Sequence, residues 1–407
     1  MGGKLRMYNV EFGDAFLLYG EGENLLVDLG SIESGFCFDP VRDSVRTESA
    51  GSQFSLMLTH FHRDHWSGLH NQPTGHPLPP IRHLYLPDIF GMRFYTRLDV
   101  IVRSLLGDFL EAVLLQKRPR FTLADLMREV LPGLHGKQIV FLSRGDKFSM
   151  GGRRCEVLWP RLNQADIVGT RTQGLLSFLE RTEAKLRTAE AGGGLRDTME
   201  AMANILLRDF AASIDRPVST AIRAEQRSYE EVYARAQRMA ETLAADVARD
   251  EGEFRDKVRH YAEQLSRDWN RVSLVFQELE AENDTGSTDG GVLMTGDAPK
   301  AVMRRLADGT YGAPGLRERY AVIKAPHHGT RSHFCAVLPH CRYFCVSSGT
   351  GNRGYQKITE EYEYVYGCRG KGSEMCCTNP RCEFLDRKRF CPQFDIQPVR
   401  DFYDVCW

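Results

Sequence analysis

The sequence predicts a layered α/β domain, interrupted by a long helical insertion and followed by a Cys-rich tail. Three observations carry that expectation. Short apolar runs of strand length, bounded by Gly, Asp or Asn, recur through residues 4–159 and again through 272–346. Between them, residues 161–269 hold 17 Lys/Arg and 19 Asp/Glu and keep a helical period throughout. Nine of the eleven cysteines fall within residues 335–406.

Taken in order, strands are expected at 4–10, 15–19, 24–29, 54–59, 81–86, 138–142 and 154–159, then at 272–276, 292–295, 320–324 and 343–346. Leu98, Ile101, Val102, Leu105, Leu106, Phe109, Leu110 and Val113 follow helical spacing, and strands mixed with such a helix suit a layered α/β domain. The organisation read from this pattern is 1–160 as the first half of the α/β domain and 161–269 as a helical insertion. Residues 270–366 form the second half and 367–407 the tail, which has few helix or strand signals.

Within the insertion, Gly192-Gly193-Gly194 and Pro217 divide the helices. Ile222, Tyr229, Ala236 and Leu243 repeat every seven residues with Val232 and Met239 between them. The register then slips, and Val247, Phe254 and Tyr261 carry the stripe with Val258 and Leu265. This is the pattern of a helical hairpin or small bundle with coiled-coil-like packing. A mixed-sign, charge-rich stretch is usually a wet helix face, so the insertion reads first as a solvated structural element and second as an arm for a protein partner.

Composition removes several function classes. The chain has 407 residues, 53 Lys+Arg against 54 Asp+Glu, and a formal net charge of −1. That balance argues against a basic nucleic-acid coat or a polybasic membrane binder. No run of about 18 apolar residues exists to span a bilayer. The N-terminal Met1-Gly2-Gly3-Lys4 leads straight into a strand pattern without a signal-peptide core, so a cytoplasmic protein is expected, with no membrane partner.

The chemistry concentrates in Thr59-His60-Phe61-His62-Arg63-Asp64-His65, after an apolar strand and before a helix start. Three imidazoles and a carboxylate in six residues are costly to bury unpaired. A tight turn can aim His60 and His62 at one metal ion while Asp64 and His65 face a second. Imidazole and carboxylate suit zinc, and also manganese or iron. Two further strand ends carry ligand types: Thr295-Gly296-Asp297, whose carboxylate can bridge two ions, and Pro326-His327-His328-Gly329.

This set resembles the metallo-β-lactamase superfamily, and more narrowly the soluble hydrolase domain of ComEC-type competence proteins. Gly13-Asp14-Ala15 and Asp28-Leu29-Gly30, with the strand that opens at Asn270-Arg271-Val272, match that family as well. The likeness covers about residues 4–160 and 270–350. It implies an αββα sandwich with a two-metal site. His60 and His62 would bind the first ion, and Asp64 and His65 the second. Asp297 would bridge them, and His327 or His328 would complete the second site. Asp28 would hold the ring N–H of a ligand histidine. With two divalent ions, zinc first, a water becomes the nucleophile and Asp64 and Asp297 stand as the catalytic carboxylates.

The match departs from the family in two places. Trp159 stands where relatives often carry a mid-domain histidine, with His83 and His135 as candidate substitutes. Gly354-Tyr355-Gln356-Lys357 stands where the competence relatives have a Gly-His-x-His stretch. Lys324 and Lys357 are candidates for a phosphate contact, with solvated cations as the default reading. In the tail, Cys368, Cys376, Cys377, Cys382 and Cys391 offer thiolates for an additional structural zinc, against the simpler reading of free thiols. The function expected is metal-dependent hydrolysis of a phosphodiester, that of a nuclease with a nucleic-acid substrate. Hydrolysis of small esters, lactones, thioesters or cyclic nucleotides, and a non-catalytic partner-binding scaffold, are the alternatives.

Overall fold

The computed structural model describes residues 3–33, 35–70, 75–88, 100–134, 138–161, 172–186, 194–213, 227–249, 252–279, 290–348, 365–366, 371–378 and 402–406. Its elements run β1 (Lys4–Tyr8), β2 (Phe16–Tyr19), β3 (Glu23–Val27), α1 (Asp39–Glu48), β4 (Gln53–Met57), α2 (Arg63–Trp66), β5 (Ile81–Pro87), α3 (Val100–Leu115) and α4 (Thr122–Asp125). There follow β6 (Gln138–Leu142), β7 (Lys147–Met150), β8 (Arg153–Trp159), α5 (Thr172–Leu186), α6 (Leu195–Ser213), α7 (Tyr229–Arg249) and α8 (Glu253–Asn270). The chain closes with β9 (Val275–Glu278), β10 (Val292–Met294), α9 (Lys300–Ala307), β11 (Arg319–Lys324), β12 (His340–Val346), β13 (Glu374–Cys377) and β14 (Phe402–Cys406). The fold class is α/β.

Two compact units emerge. One comprises residues 1–87, 134–160 and 270–407; the other comprises 88–133 and 161–269. The first holds two seven-stranded sheets, ordered β14-β1-β2-β3-β4-β5-β6 and β13-β12-β11-β10-β9-β8-β7. In each, three antiparallel pairings are followed by three parallel ones: β3-β4-β5-β6 in the first sheet and β10-β11-β12-β13 in the second. Residues of both sheets join one apolar cluster, including Leu5, Phe16, Val27 and Met57 from one and Val157, Phe276, Met294 and Val322 from the other. Strands flanked by parallel neighbours are covered on both faces. β11, between two parallel neighbours, is accordingly buried from Tyr320 to Lys324, and β3 and β10, each with one parallel neighbour, are buried along their whole length.

The second unit is helical. α3 is buried on nearly every side and packs against α6 and α7. Val232, Ala236, Met239, Leu243 and Val247 form the buried stripe of α7, the heptad positions read from the sequence; Ile222 lies outside the described residues. The Phe178 ring on α5 packs on Tyr261 of α8 with centroids 4.7 Å apart. Arg103, fully buried on α3, is neutralised by Asp268 on α8 at 2.6 Å. No helix among the described residues is long and apolar enough to cross a membrane.

Two expectations change. Helix α3 belongs to the helical unit rather than to the α/β half, because an apolar period reveals a helix but not the neighbours that bury it. The tail, read as lacking elements, supplies an edge strand to each sheet: β13 pairs with β12, and β14 with β1. Cys376 and Cys377 are successive residues of β13, so they take opposite faces and are both buried; alternation keeps them from binding one ion together. Cys368, Cys382 and Cys391 lie outside the described residues. Free thiols, not disulfides, account for the eight described cysteines.

What fastens β14 is charge. The guanidinium of Arg6 on β1 donates to both carboxylate oxygens of Asp404 at 2.6 and 2.7 Å and to Glu48 at 2.8 Å, and it stacks on Phe402 at 3.8 Å. Burial works against the Asp404 carboxylate, but the hydrogen bond and charge of Arg6, together with Lys4, outweigh it and hold the carboxyl below its usual range. A depressed carboxyl stabilises the fold fully above the unfolded value of about 4 and loses that contribution as pH falls through the folded one. Asp404→Asn is therefore expected to cost about 1–3 kcal/mol in denaturant unfolding at pH 7. The gap between variant and wild type should narrow at pH 3.

Candidate metal centre

The Asp and His residues of the three sequence motifs emerge at the carboxyl ends of strands with a parallel neighbour, where an open α/β sheet leaves room for a ligand. Asp28 follows β3, His60–His65 follow β4, Asp297 follows β10, and His327 and His328 follow β11. Three loops are laced together there by backbone hydrogen bonds: Leu29 N–H to His65 O at 2.8 Å, Asp14 N–H to Asp64 O at 3.1 Å and Gly30 N–H to Asp14 O at 3.1 Å. The chains approach so closely that a Cβ at Gly30 would overlap the backbone of Asp64 and His65.

Asp28, left-handed at φ 59°, ends β3 and turns its carboxylate back onto the loop after β4. It accepts from the Thr59 N–H at 2.8 Å and the Thr59 hydroxyl at 2.7 Å, and sits 2.8 Å from His65 Nδ1. Asp14 Oδ1 lies 3.1 Å from His328 Nδ1, an ion-pair contact without hydrogen-bond alignment. Each carboxylate thus holds the rear nitrogen of one imidazole and leaves Nε2 facing inward. Ser273 links the remaining pieces: its hydroxyl accepts from the Asp297 N–H at 2.8 Å and lies 3.4 Å from His60 Nδ1.

The inward nitrogens meet at one oxygen. Asp297 Oδ2 lies 3.3 Å from His65 Nε2, 3.5 Å from His328 Nε2, 3.6 Å from His327 Nε2 and 3.9 Å from His60 Nε2. His328 Nε2 is also 3.3 Å from Asp64 Oδ2, and His60 Nε2 is 3.0 Å from His62 Nδ1. Donors spaced about 2.0–2.1 Å from one zinc stand roughly 3.3–3.5 Å from one another, beyond good hydrogen-bond reach. The Nε2 atoms of His65 and His328 are buried and make no hydrogen bond. Among the described residues, Asp14, His65, Asp297 and His328 form a buried group whose ligand atoms lie within 4.8 Å of one another, and this cluster can hold a metal ion. The donor chemistry fits a divalent cation of the zinc, manganese or iron type.

Electrostatics give the same answer. Burial opposes charge on His65 and His328, yet the surrounding carboxylates, Asp297 foremost, hold both well above the ordinary imidazole value. Burial lowers His60 and His327. It also raises Asp28, whereas Asp14 and Asp297 are held low against burial, Asp14 chiefly by Lys324 and Asp297 chiefly by His328. Negative charge has been gathered where the protein itself supplies only part of the compensation.

Lys324 corrects one reading. Far from being solvated, it is 1% exposed, with Nζ 2.5 Å from Asp14 Oδ2, 3.4 Å from Asp297 Oδ1 and 2.7 Å from Gly296 O. Trp159 fills the apolar interior and donates Nε1–H to Arg271 O at 2.6 Å. His83 faces Ser55 and Glu23 at 3.4 and 3.6 Å; His135 and Lys357 lie outside the described residues. Asp14, Thr59 and Ser273 were given no site role from the sequence. Asp14 carries a signal in the Gly-Asp-Ala step and Thr59 in opening the histidine-rich motif; Ser273 carries none.

No family model matches the chain, and no curated protein matches it. Among solved structures, a protein of unknown function from Enterococcus faecalis aligns over 80% of this chain and 94% of its own, at 10% identity and a TM-score of 0.24. A likeness that low assigns neither fold nor function.

Two substitutions test the construction. Lys324→Met leaves Asp14 and Asp297 facing each other without their cation. It is expected to cost about 3–5 kcal/mol in metal-free protein, and less once a divalent ion is added, as read by denaturant unfolding in chelator and in zinc. Gly30→Ala is expected to destabilise by about 1–3 kcal/mol through overpacking, and to weaken metal retention because the displaced backbone carries Asp64 and His65.

Proposed function

We propose that the chain is a metal-dependent hydrolase of phosphodiesters, a nuclease, built on the αββα metallo-β-lactamase arrangement with two divalent ions, zinc first. The observation that carries this reading is the convergence of four imidazole nitrogens on Asp297 Oδ2, at 3.3–3.9 Å. A carboxylate so placed is shared by two groups of ligands, His60 and His62 on one hand, Asp64, His65 and His328 on the other. The two apolar sheet faces meeting in one cluster support the arrangement.

Divalent ions held there supply Lewis acidity toward a phosphoryl oxygen and bring the pKa of water toward neutrality. The chain's own groups do the rest. Asp28 and Asp14 keep the Nδ1 sides of His65 and His328 occupied, which fixes ring orientation. Lys324 holds Asp14 and Asp297 in place. Asp64 keeps 14% side-chain exposure and His327 23%, while His60, His65 and His328 have none, so the site opens beside Asp64 and His327. Substrate enters on that side, past the Asp64 carboxylate, which His65 and His328 hold ionised well below the usual carboxylate range despite burial. The net charge of −1 does not furnish a long basic track, so grip on a polymer falls to local contacts.

The test is cleavage of single- and double-stranded DNA and of RNA by the metal-loaded full chain. His62→Ala and Asp64→Ala are expected to lower the rate by about 100-fold or more while circular dichroism stays native. Metal-loaded protein that is inert on nucleic acid yet hydrolyses small esters or cyclic nucleotides would redirect the substrate assignment. Unchanged cleavage in both variants would end it.

A further inference from the structure

Two buried thiols face each other across the β12–β13 pair. In that parallel ladder Cys345 stands opposite Cys376, and both belong to the apolar cluster shared by the two sheets. Opposed residues of neighbouring strands lie about 4.8 Å apart, inside the Cα span of about 4.4–6.8 Å that a disulfide bridges. The Cys345 thiol hydrogen-bonds with that of Cys376, and this contact together with burial pushes it well above the usual thiol range.

The register is pinned at both ends of β13. Before the pair, Ser373 Oγ donates to Cys341 O at 2.7 Å. After it, the Thr378 N–H donates to Val346 O at 3.1 Å and the Ser348 N–H to Thr378 Oγ1 at 2.9 Å. These bonds keep Cys376 rather than Cys377 opposite Cys345, since a slip of one residue would exchange them. Cys377 takes the other face of β13, and Cys341 Sγ lies 3.4 Å from Ser373 Oγ.

The pair also borders the Asp/His cluster. Cys345 is the register partner of Lys324 on β11, and its carbonyl accepts from the Ala325 N–H at 2.7 Å. Two residues on, Ser347 Oγ donates to the carbonyl of Gly13, next to Asp14, at 2.5 Å. β12 thus runs from the thiols to the loops of the site, while β13 is the outermost strand of its sheet.

We propose that Cys345 and Cys376 form a disulfide under hydrogen peroxide, a reversible staple that ties the tail strand β13 to β12. Cys376, 9% exposed on the edge strand, meets the oxidant, and the fully buried Cys345 resolves it. The Cys376 thiolate attacks one peroxide oxygen and the O–O bond breaks. A sulfenic acid forms, and the departing hydroxide takes up the Cys376 proton as water. The Cys345 sulfur then attacks the sulfenic sulfur. The S–S bond forms as the S–O bond breaks, and the second hydroxide leaves as water with the Cys345 proton. Peroxide gains the two electrons that the sulfurs lose. The bridge closes a loop between the two strands and so restrains β13. It does not depend on the metal-hydrolase reading.

The test treats the folded, reduced full chain with hydrogen peroxide, blocks the remaining thiols and maps tryptic peptides by mass spectrometry. Cys345 is the one cysteine of the peptide 343–353, and Cys376 shares the peptide 372–381 with Cys377. The two peptides are expected to be joined with loss of two hydrogens and released by dithiothreitol. Hydrogen exchange of the β13 amides should slow by about tenfold or more on oxidation. The bridge should disappear in Cys345→Ala and in Cys376→Ala, the latter on the edge strand where truncation disturbs least, and persist in Cys377→Ala, with circular dichroism certifying each fold. Peptides that stay separate in oxidised wild type would overturn the assignment. So would Cys345 joined to any other cysteine, a bridge that survives Cys376→Ala, or a β13 that exchanges equally fast in both redox states.

Discussion

Four carboxylates, those of Asp14, Asp28, Asp64 and Asp297, are drawn to one end of the β-sheet unit, and Lys324 is the cation built in to face two of them. Burying charge without compensation costs several kcal/mol per group, so this concentration is tolerable only if protons or metal ions complete the balance. Imidazoles provide the exchangeable part of that balance. The carboxylates around His65 and His328 hold both imidazoles above their ordinary value against burial, and a divalent ion held there would compete with their protons. The rest of the centre follows from keeping these groups close: the laced loops, the absent side chain at Gly30, and the hydroxyls of Thr59 and Ser273.

Conformational strain is distributed accordingly. Among the described residues, five other than glycine have positive φ: Glu11, Asp28, Gln116, His327 and His328. Three of the five carry site side chains. The parallel strands place the loops, but only these departures from ordinary backbone bring a β3 carboxylate onto the β4 loop and two successive histidines onto one oxygen. Stable sheets absorb the cost elsewhere, through an apolar cluster drawn from both.

How much of this was legible in the sequence depended on crowding. His60, His62, Asp64 and His65 announce themselves because four ligand-type groups in six positions have no economical structural explanation. Asp14 does not, since a single Asp after Gly between two strands is also what an ordinary turn requires. Lys324 was misread for a related reason: a lone lysine is usually wet, and nothing local tells that two carboxylates from remote loops will enclose it. The strand β14 was hidden because Arg6 and Phe402, rather than a long apolar run, secure it. α3 was recognised as a helix and placed in the wrong unit, because its burial is decided by α6 and α7, about a hundred residues on. Periodicity reports what a segment is, and long-range contacts report where it goes.

Arg6 and Asp404 are separated by 398 positions, yet they close one edge of the first sheet. During synthesis β1 therefore emerges long before its outer neighbour and presents an open strand edge to the cell. Closing so long a loop is slow relative to the local pairings of β1 with β2 and β3. The buried Asp/His cluster has its own timing, because Asp14 and His328 must meet across more than three hundred residues. A ribosome-bound chain that has reached only β10 holds the histidine-rich loop without Lys324, His327 or His328. Assembly of the Asp/His cluster thus waits until translation has passed β11, and the sheet edge stays unsealed until β14 arrives.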